Sequence, residues 1–467
     1  MQDPILFWNE VALEVNRVSH TNGKGEQTGP VLSSRALAIV HLAMYDAFTA
    51  IKPAAGPPYM PGLPTPPNGA TTQAAVAGAA HATLSALFPS QRAFLDTKLS
   101  DAGGLLNPGH GFGVTVAQRM LSDRAADPGN SDAGYTPSFA RGRHRRDPDN
   151  STQPFLAPFY GARSKGFAIS ARHELLAPPF DNVEYVAALR EVRGRGIAPE
   201  LQGTLPNGIT GRNTDQTLIG IYWGYDGASG LGTPPRQYNQ IVRQVAIARG
   251  NDDAKNARLF ALVNTAMADA GILAWDQKYI HDFWRPVVGI REHDRSFGLA
   301  SEADNDVSND ADTGWLPLGA PSTNAVGAKN FTPPFPAYPS GHATFGSAAF
   351  HMTRLFYGVP MGNRAADNLF DGLAFVSDEF NGVNVDNKGT VRPRHLRKFP
   401  GGLWQMIEEN GRSRVFLGVH WVFDAFAVKA NGDPDLARNV GGVPLGLKIA
   451  EDIFSKNLKK STVGPRP

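Results

Sequence analysis

The sequence predicts an all-α protein. Apolar residues recur at three- and four-residue spacing along most of the chain, strong alternating patterns typical of strands are missing, and Pro- and Gly-rich connectors separate the periodic segments. The predicted helices are Ile5–Arg17, Ser34–Ile51, Ala75–Leu87, Gln91–Ala102, Val114–Ala126, Val183–Val192, Asn239–Arg249, Ala254 to about Trp284, His342–Tyr357, Ala365–Glu379, Leu403–Val428 and Leu445–Phe454.

The composition narrows the class of function. The chain has 467 residues, a formal net charge of +2 and 42% hydrophobic residues. This length can bury a large core, and a charge so close to zero gives no reason to expect nucleic acid or a membrane surface as partner. The sequence contains no cysteine, which excludes disulfides, thiolate catalysis and Cys-ligated metals.

The sequence shows no pattern typical of a membrane span or a signal peptide. No segment is apolar for long enough to predict a membrane span, and the N-terminus shows no basic segment followed by an apolar run. We therefore expect a soluble protein without a signal peptide, in a compartment that the sequence leaves open.

Two charged segments are predicted to be exposed loops: Arg141–Arg146, with an anion-steering patch as the alternative, and Glu302–Asp312, with a calcium loop as the alternative.

Three cationic and polar clusters stand in the second half of the chain. They are Lys278 with Arg285–Pro286, then Pro339–Ser340–Gly341–His342, then Arg414 with His420 and Asp424. Arginine offers forked donors, lysine a mobile point charge, and a glycine turn exposes backbone N–H groups. Each cluster alone is also explained by a solvated face, a turn or a core histidine. Together, in this order, they predict a site for a tetrahedral oxyanion.

The spacing of the first two clusters predicts how they meet the anion. Lys278 and Arg285 are seven residues apart, which places both on one face of a single helix that ends near Pro286. Ser340 and Gly341 form a turn that leads into the next helix. Backbone N–H groups at such a helix start favour an anion.

The third cluster does not fit one straight helix. Arg414 and His420 are six residues apart, which separates their side chains by about 120° on a regular helix. Gly418 allows a break between them. Asp424 lies one helical turn beyond His420, so either its carboxylate or a nearby backbone carbonyl is expected to orient the ring.

The joint pattern resembles the superfamily shared by vanadium-dependent haloperoxidases and type-2 phosphatidic acid phosphatases, and looks most like the fungal vanadium chloroperoxidases. The resemblance covers nearly the whole chain. The segments that carry it around the site are Trp275–Asp276–Gln277–Lys278, residues 335–346 and Phe416–Leu417–Gly418–Val419–His420–Trp421. Those that carry it elsewhere are Ile5–Leu6–Phe7–Trp8–Asn9, residues 257–263 and Gly441–Gly442–Val443–Pro444–Leu445–Gly446.

The resemblance implies an architecture. Two four-helix bundles would form one large helical domain, with the active site at the end of a bundle under a shallow channel. We expect an N-terminal half over residues 1–210 and a C-terminal half over residues 211–467 that carries the vanadate site.

The resemblance also implies vanadate as cofactor, with no haem or flavin. His420 would be the axial ligand of vanadium, and His342 would be the catalytic acid–base group that deprotonates hydrogen peroxide. Lys278 would polarise the bound peroxide. The residues implied to hydrogen-bond the vanadate oxygens are Lys278, Arg285, Ser340, Gly341 through its N–H, and Arg414. Asp226 is similar to a family aspartate that pairs with an arginine; a turn residue is its other interpretation.

The implied reaction oxidises halide with hydrogen peroxide to hypohalous acid. Phe335 and Trp275 look like the chloroperoxidase halide pocket, whereas algal bromoperoxidases carry His where Phe335 stands. We therefore expect chloride oxidation, with bromide and iodide as easier substrates. An organic acceptor stays open, a monomer is favoured, and secretion is consistent with the family.

Two other functions stay open at this point. An acid phosphatase of the same superfamily would use His420 as nucleophile and His342 as proton donor to the leaving oxygen. A catalytically silent anion-binding protein would use the same cations without turnover.

Overall fold

The computed structural model describes residues 3–294 and 310–466, and the regular secondary structure in this part of the chain is almost entirely helical. Fifteen α-helices and one antiparallel pair of two-residue strands are present in these ranges, which confirms the all-α prediction. The helices are α1 (Pro4–Ser19), α2 (Pro30–Ile51), α3 (Thr72–Leu87), α4 (Arg92–Ala102), α5 (Pro108–Asp123), α6 (Tyr160–Arg163), α7 (Val183–Arg195), α8 (Thr214–Tyr222), α9 (Pro234–Ala248), α10 (Asp253–His281), α11 (Pro286–Arg291), α12 (Gly341–Phe356), α13 (Gly402–Phe416), α14 (Val422–Ala425) and α15 (Gly442–Ser455). The strands are β1 (Ala427–Val428) and β2 (Pro434–Asp435), with Ala427 opposite Asp435.

Helix α10 is the centre of the fold. It packs against α2 on one side and against α12 and α15 on the other. Helix α2 also packs against α3 and α5, and α12 packs against α13 and α15. Two groups of helices therefore meet along α10. The predicted division into residues 1–210 and 211–467 stays a prediction, since α10 contacts both groups.

The expectation that no segment is long enough for a membrane span needs correction. Helices α2 and α10 are both long and apolar enough to span a membrane by length and composition alone. They are buried inside the protein over 89% and 94% of their most apolar stretch. Their apolar surfaces thus face neighbouring helices of the core.

One predicted helix is wrong and a second is too long. Residues 365–377, in the predicted helix Ala365–Glu379, form turns and irregular chain, and only Asp378–Phe380 makes one 3-10 turn. The reason lies in Asp367, whose carboxylate accepts the backbone N–H groups of Leu403 and Trp404 and thereby caps the start of α13 instead of joining a helix. The predicted helix Leu403–Val428 ends at Phe416, and α14 and β1 follow separately.

The basic run Arg141–Arg146 is only partly the solvated loop expected from its charge, since Arg143 and Arg146 are exposed but the other charged side chains have partners or are buried. Arg141 Nη1 donates to the carbonyl of Glu292 at 2.8 Å, Arg145 pairs with the Glu292 carboxylate, and His144 is buried. Most of the acidic segment Glu302–Asp312 lies outside the described residues.

Glycines set the distance between α12 and α15. A Cβ at Gly446 would lie 2.1 Å from Ser347 Oγ and 2.4 Å from the Thr344 carbonyl oxygen, and a Cβ at Gly442 would lie 2.5 Å from the Ser340 carbonyl oxygen. No side chain fits at these positions. The first turn of α12 is therefore held directly against α15.

We expect Gly446→Ala to lower the free energy of unfolding by about 1–3 kcal/mol, because the added methyl group overlaps the backbone of α12. Urea unfolding followed by tryptophan fluorescence measures the loss. Gly111→Ala is the matched control, since it is also helical but has nothing within 4 Å of the added carbon. The control should keep or gain up to about 1 kcal/mol; equal losses at both positions would refute the close-packing explanation.

His41 gives the fold a measurable pH dependence. Its Nδ1 bonds to the Leu37 carbonyl at 2.6 Å and its Nε2 to Asn9 Nδ2 at 2.9 Å, so the neutral ring is fully partnered. Burial lowers the pKa of His41 to about 4. The unfolded chain, with a pKa near 6.5, binds the proton first, so this contribution is complete above about pH 6.5 and is lost as the pH falls toward 4.

We therefore expect the stability advantage of the wild type over His41→Leu to shrink by about 3 kcal/mol between pH 6.5 and pH 4. Urea unfolding of both proteins across this range measures the difference. A constant difference would show that the folded-state pKa of His41 is not depressed.

Candidate active site

The end of α10 separates the first two cations. The helix stops at His281, Asp282 takes a left-handed conformation with φ of 49°, and Arg285 lies in extended chain before α11. The prediction that Lys278 and Arg285 share one helix is wrong, and Pro286 begins α11 instead of ending a helix. A reversal of the chain at Asp282, rather than helical spacing, brings the two cations together.

Both cations hold the loop at residues 335–339. Lys278 Nζ donates to the carbonyl oxygens of Pro336, Ala337 and Pro339 at 2.8, 3.1 and 2.5 Å. Arg285 Nε donates to the Phe335 carbonyl at 2.8 Å. Burial, followed by the charge of Arg285, lowers the pKa of Lys278. All three donors of the ammonium group are thus engaged with the main chain.

This loop delivers Ser340 and Gly341 to the start of α12. Ser340 is the N-cap residue, its Oγ accepts weakly from the Ala343 N–H at 3.4 Å, and its own N–H donates to the Asp424 carbonyl at 2.8 Å. Gly341 is the first helical residue, so its N–H has no acceptor within the helix. A Cβ at Gly341 would lie 3.3 Å from the Trp275 ring. The first turn of α12 therefore presents backbone donors, as predicted.

The chain reverses again between Arg414 and His420. Arg414 lies in the last turn of α13, and Gly418 has a φ of 74°, a left-handed conformation that glycine adopts without strain. His420 Nδ1 lies 2.7 Å from Asp424 Oδ2, and the same oxygen accepts the Trp421 N–H at 3.0 Å. Of the two candidates for orienting the ring, the structure has the carboxylate.

These bonds fix the tautomer of His420. Asp424 Oδ2 is an acceptor, so Nδ1 carries the proton and Nε2 carries the lone pair. Arg285 Nη1 donates to that lone pair at 2.9 Å and to the Val419 carbonyl at 2.7 Å. Burial, then the charges of Arg285 and Lys278, lowers the pKa of His420. The ring is therefore neutral, with Nε2 as an available ligand.

Arg414 forms a buried, two-pronged ion pair with Asp226. Its Nη1 and Nη2 donate to the two carboxylate oxygens at 2.9 and 2.7 Å. Burial opposes the charge of Asp226, yet the charge of Arg414 and its hydrogen bonds to the carboxylate outweigh it and lower the pKa of the carboxyl. The turn residue Asp226 thus orients an arginine of the site.

His342 completes the polar group. Burial, followed by the charge of Arg414, lowers its pKa to about 3. Its Nε2 is buried and has no hydrogen-bond partner among the described residues. His342 is accordingly a neutral imidazole with a free Nε2.

Several of these residues line one cavity of about 360 Å³. Gly341, His342, Arg414 and His420 line it together with Asp226, whereas Lys278, Arg285 and Ser340 are absent from its described lining. Two more buried donors near it, Arg285 Nη2 and Arg414 Nε, lack a hydrogen-bond partner within residues 3–294 and 310–466. Buried donors are nearly always bonded, so this arrangement fits an acceptor-rich anion.

The comparisons with known proteins identify the family. The family model described as the vanadium chloroperoxidase N-terminal domain matches residues 2–178, and that of the second helical-bundle domain matches residues 258–441. The chain is 36% identical to the vanadium chloroperoxidase of Curvularia inaequalis, over 97% of this chain and 90% of that protein. The chain belongs to the vanadium chloroperoxidase family.

Solved structures share the fold of this family member. A bacterial vanadium-dependent iodoperoxidase matches with a TM-score of 0.67 and 18% identity over 96% of this chain and 95% of that one. A holo-type bacterial vanadium-dependent chloroperoxidase matches with a TM-score of 0.58 and 17% identity over 92% and 93% of the two chains. At these identities the likeness concerns the fold alone.

Two aromatic rings form an apolar part of the cavity wall. The ring centroids of Trp275 and Phe335 are 4.7 Å apart, and both side chains are buried. Lys278 Nζ lies 5.0 Å and Arg285 Cζ 4.9 Å from the Phe335 centroid. The cations are therefore shielded from water by the face of this ring.

Sequence reasoning missed the groups that hold His342 from behind. Asn410 Nδ2 donates to the His342 carbonyl at 2.8 Å, and the Tyr238 hydroxyl bonds to the same oxygen at 3.2 Å. A Cβ at Gly346 would lie 2.3 Å from Asn410 Nδ2. In the sequence, the position of Gly346 inside a predicted helix was the one signal that another group, here Asn410, approaches the helix closely.

We expect Asp226→Asn to lower the free energy of unfolding by about 3–5 kcal/mol in anion-free buffer, because it leaves the buried Arg414 charge uncompensated. Glu184→Gln is the control, since Glu184 pairs with Arg438 at 2.8 Å on the surface. The control should cost less than about 1 kcal/mol. Urea unfolding compares them; similar losses would contradict a special role for the buried pair.

Proposed function

We propose that this chain is a vanadate-dependent haloperoxidase that oxidises chloride, bromide and iodide with hydrogen peroxide to hypohalous acid. The observation that carries the proposal is a set of buried side-chain nitrogens without a hydrogen-bond partner among the described residues. Two of them, His342 Nε2 and Arg414 Nε, belong to residues that line the cavity, and the third is Nη2 of Arg285, whose Nη1 bonds to the cavity-lining His420. The neutral imidazole of His420 belongs to the same group of residues. Its Nε2 accepts a hydrogen bond from Arg285 Nη1 and therefore carries a lone pair that can bind a metal.

The donor set fits vanadate. Arg285, Arg414, the Gly341 N–H and the Ser340 hydroxyl would hold its oxygens, and His420 Nε2 would bind the metal. Arg285 Nη1 has to release His420 Nε2 when that nitrogen binds vanadium. Bound vanadate supplies a Lewis acid that activates peroxide toward halide. Asp424 keeps the proton on His420 Nδ1 throughout.

His342 is the proposed general base. Its Nε2 is unpartnered and neutral, so it can accept a proton from hydrogen peroxide that enters the cavity. Asn410 holds the main chain of His342 in place. The backbone that carries the ring is therefore held in a fixed position.

The hydrogen bonds of Lys278 differ from those that its proposed role requires. Its ammonium group donates to three carbonyl oxygens of residues 336–339. To donate to a vanadate or peroxide oxygen, it must release one of them. We keep Lys278 as the polarising group and add that it fixes the loop before α12.

The halide is proposed to lie against Trp275 and Phe335. An apolar wall limits water around the halide and strengthens the electrostatic effect of the nearby cations. This favours chloride as a substrate besides bromide and iodide.

The proposal is tested by halogenation of a phenol dye with purified protein, hydrogen peroxide and each halide. We expect turnover only with added vanadate, inhibition by phosphate, and oxidation of chloride as well as bromide at acidic pH. Oxidation of bromide but never chloride would refute the halide assignment. Rapid hydrolysis of a phosphate ester without any halogenation would support a phosphatase instead.

We expect His342→Ala to reduce the turnover number about 10²–10⁴-fold, the usual contribution of a general base. Vanadate binding, measured by calorimetry, should change little because His420 and the arginines remain. His395→Ala, on a partly exposed histidine away from the cavity lining, is the control and should leave both quantities unchanged. Full turnover in His342→Ala would exclude the assigned role.

A further inference from the structure

Glu379 carries a buried carboxyl group that the proposed mechanism leaves unused. Its side chain is fully buried. Its Oε2 accepts from Thr323 Oγ1 at 2.6 Å and from Arg392 Nη1 at 2.5 Å. Its Oε1 is also buried and has no hydrogen-bond partner among the described residues. Buried polar atoms are nearly always bonded, so this oxygen points to a role other than packing.

Two neighbours of this carboxyl group bond to the loop that carries Asp226. Asp378, the preceding residue, donates its backbone N–H to the Tyr225 hydroxyl at 2.7 Å. On the other side, Asn324, which follows the threonine donor, donates from Nδ2 to the Ser229 carbonyl at 2.7 Å. The carboxyl group is therefore held between two segments that are both fixed to the loop whose aspartate orients an arginine of the site.

The surroundings of Glu379 favour its neutral form. Burial raises its pKa to about 8; the charge of Arg392 and the threonine hydrogen bond oppose this rise, and the charges of Asp226 and Asp378 add to it. Asp378 is itself paired with Arg236. Glu379 is therefore neutral at pH 7. Because Oε2 accepts from both donors, the proton lies on Oε1.

We propose that Glu379 is a positioning residue of the anion site: as a neutral acid it leaves Asp226 to hold Arg414, and as a carboxylate it weakens the binding of an anion there. The inference rests on the proposed function, which makes vanadate the anion. A second negative charge in this low-dielectric region repels both Asp226 and an anion at Arg414. By linkage, a bound anion makes Glu379 hold its proton more tightly. Anion affinity therefore falls as the pH rises through about 8.

The test measures orthovanadate binding to the full-length protein by calorimetry and compares wild type with Glu379→Gln, which has nearly the same shape but cannot ionise. The dissociation constant of wild type divided by that of the variant should be constant up to about pH 7 and rise about fivefold or more by about pH 9.5. This ratio cancels the titration of vanadate itself and of Arg285, which both proteins share. A purely structural role would change the affinity by one factor at every pH, so a flat ratio overturns the proposal.

Glu408→Gln is the matched control, because burial also raises the pKa of Glu408, which lies on α13 outside the cavity lining. It should follow wild type at every pH. Arg392→Gln is a second test that does not depend on the folding of Glu379→Gln. Loss of this cation raises the pKa of Glu379 further, so the affinity should begin to fall at a higher pH than in wild type; a fall at the same or a lower pH contradicts the proposal. A wild type that binds no vanadate at any pH overturns the proposed function as well, whereas binding with a flat ratio overturns the role of Glu379 alone.

Discussion

The hydrogen bonds of the Arg285 guanidinium group hold together the loops that form the site. Arg285 bonds to the Phe335 carbonyl, the Val419 carbonyl and His420 Nε2, and so joins the loops before α11, α12 and α14. Burial lowers its pKa to about 9, which still leaves it charged at neutral pH. A buried charge with one unpartnered Nη2 is stabilised by any anion that enters. Arg285 therefore joins the three loops and also leaves one buried N–H donor group without a partner, which favours the binding of an anion.

Helix ends supply the remaining geometry. Lys278 and Arg414 lie in the last turns of α10 and α13, where the negative end of the helix dipole stabilises a cation, and Gly341 begins α12, where free N–H groups favour an anion. These ends meet because α10 and α13 both pack against α12. The glycine contacts between α12 and α15 lie directly beside this junction, so core packing sets the position of the anion site.

Helical periodicity predicted most of the fold because apolar spacing reports burial directly. It could not predict the chain reversal at Asp282, since aspartate fits both a helix end and a helix interior. It also could not show that Asp367 would cap α13 instead of joining a helix. At the site, the helix break at Gly418 could be predicted because glycine adopts the left-handed conformation that such a break requires. The bonds of Lys278 to three carbonyls and the support of His342 by Asn410 depend on tertiary contacts that no spacing records.

Burial and the nearby cations together keep the two histidines neutral. Burial is the larger cause and positive charge the second cause of the lowered pKa of both His342 and His420, so each keeps a lone pair at neutral pH. The buried arginines therefore add to an effect that burial begins. The charges proposed to hold vanadate thus also help to keep a lone pair on Nε2 of His420, the proposed metal ligand, and on Nε2 of His342, the proposed base. In the proposed function, anion binding and proton transfer both depend on one arrangement of charges.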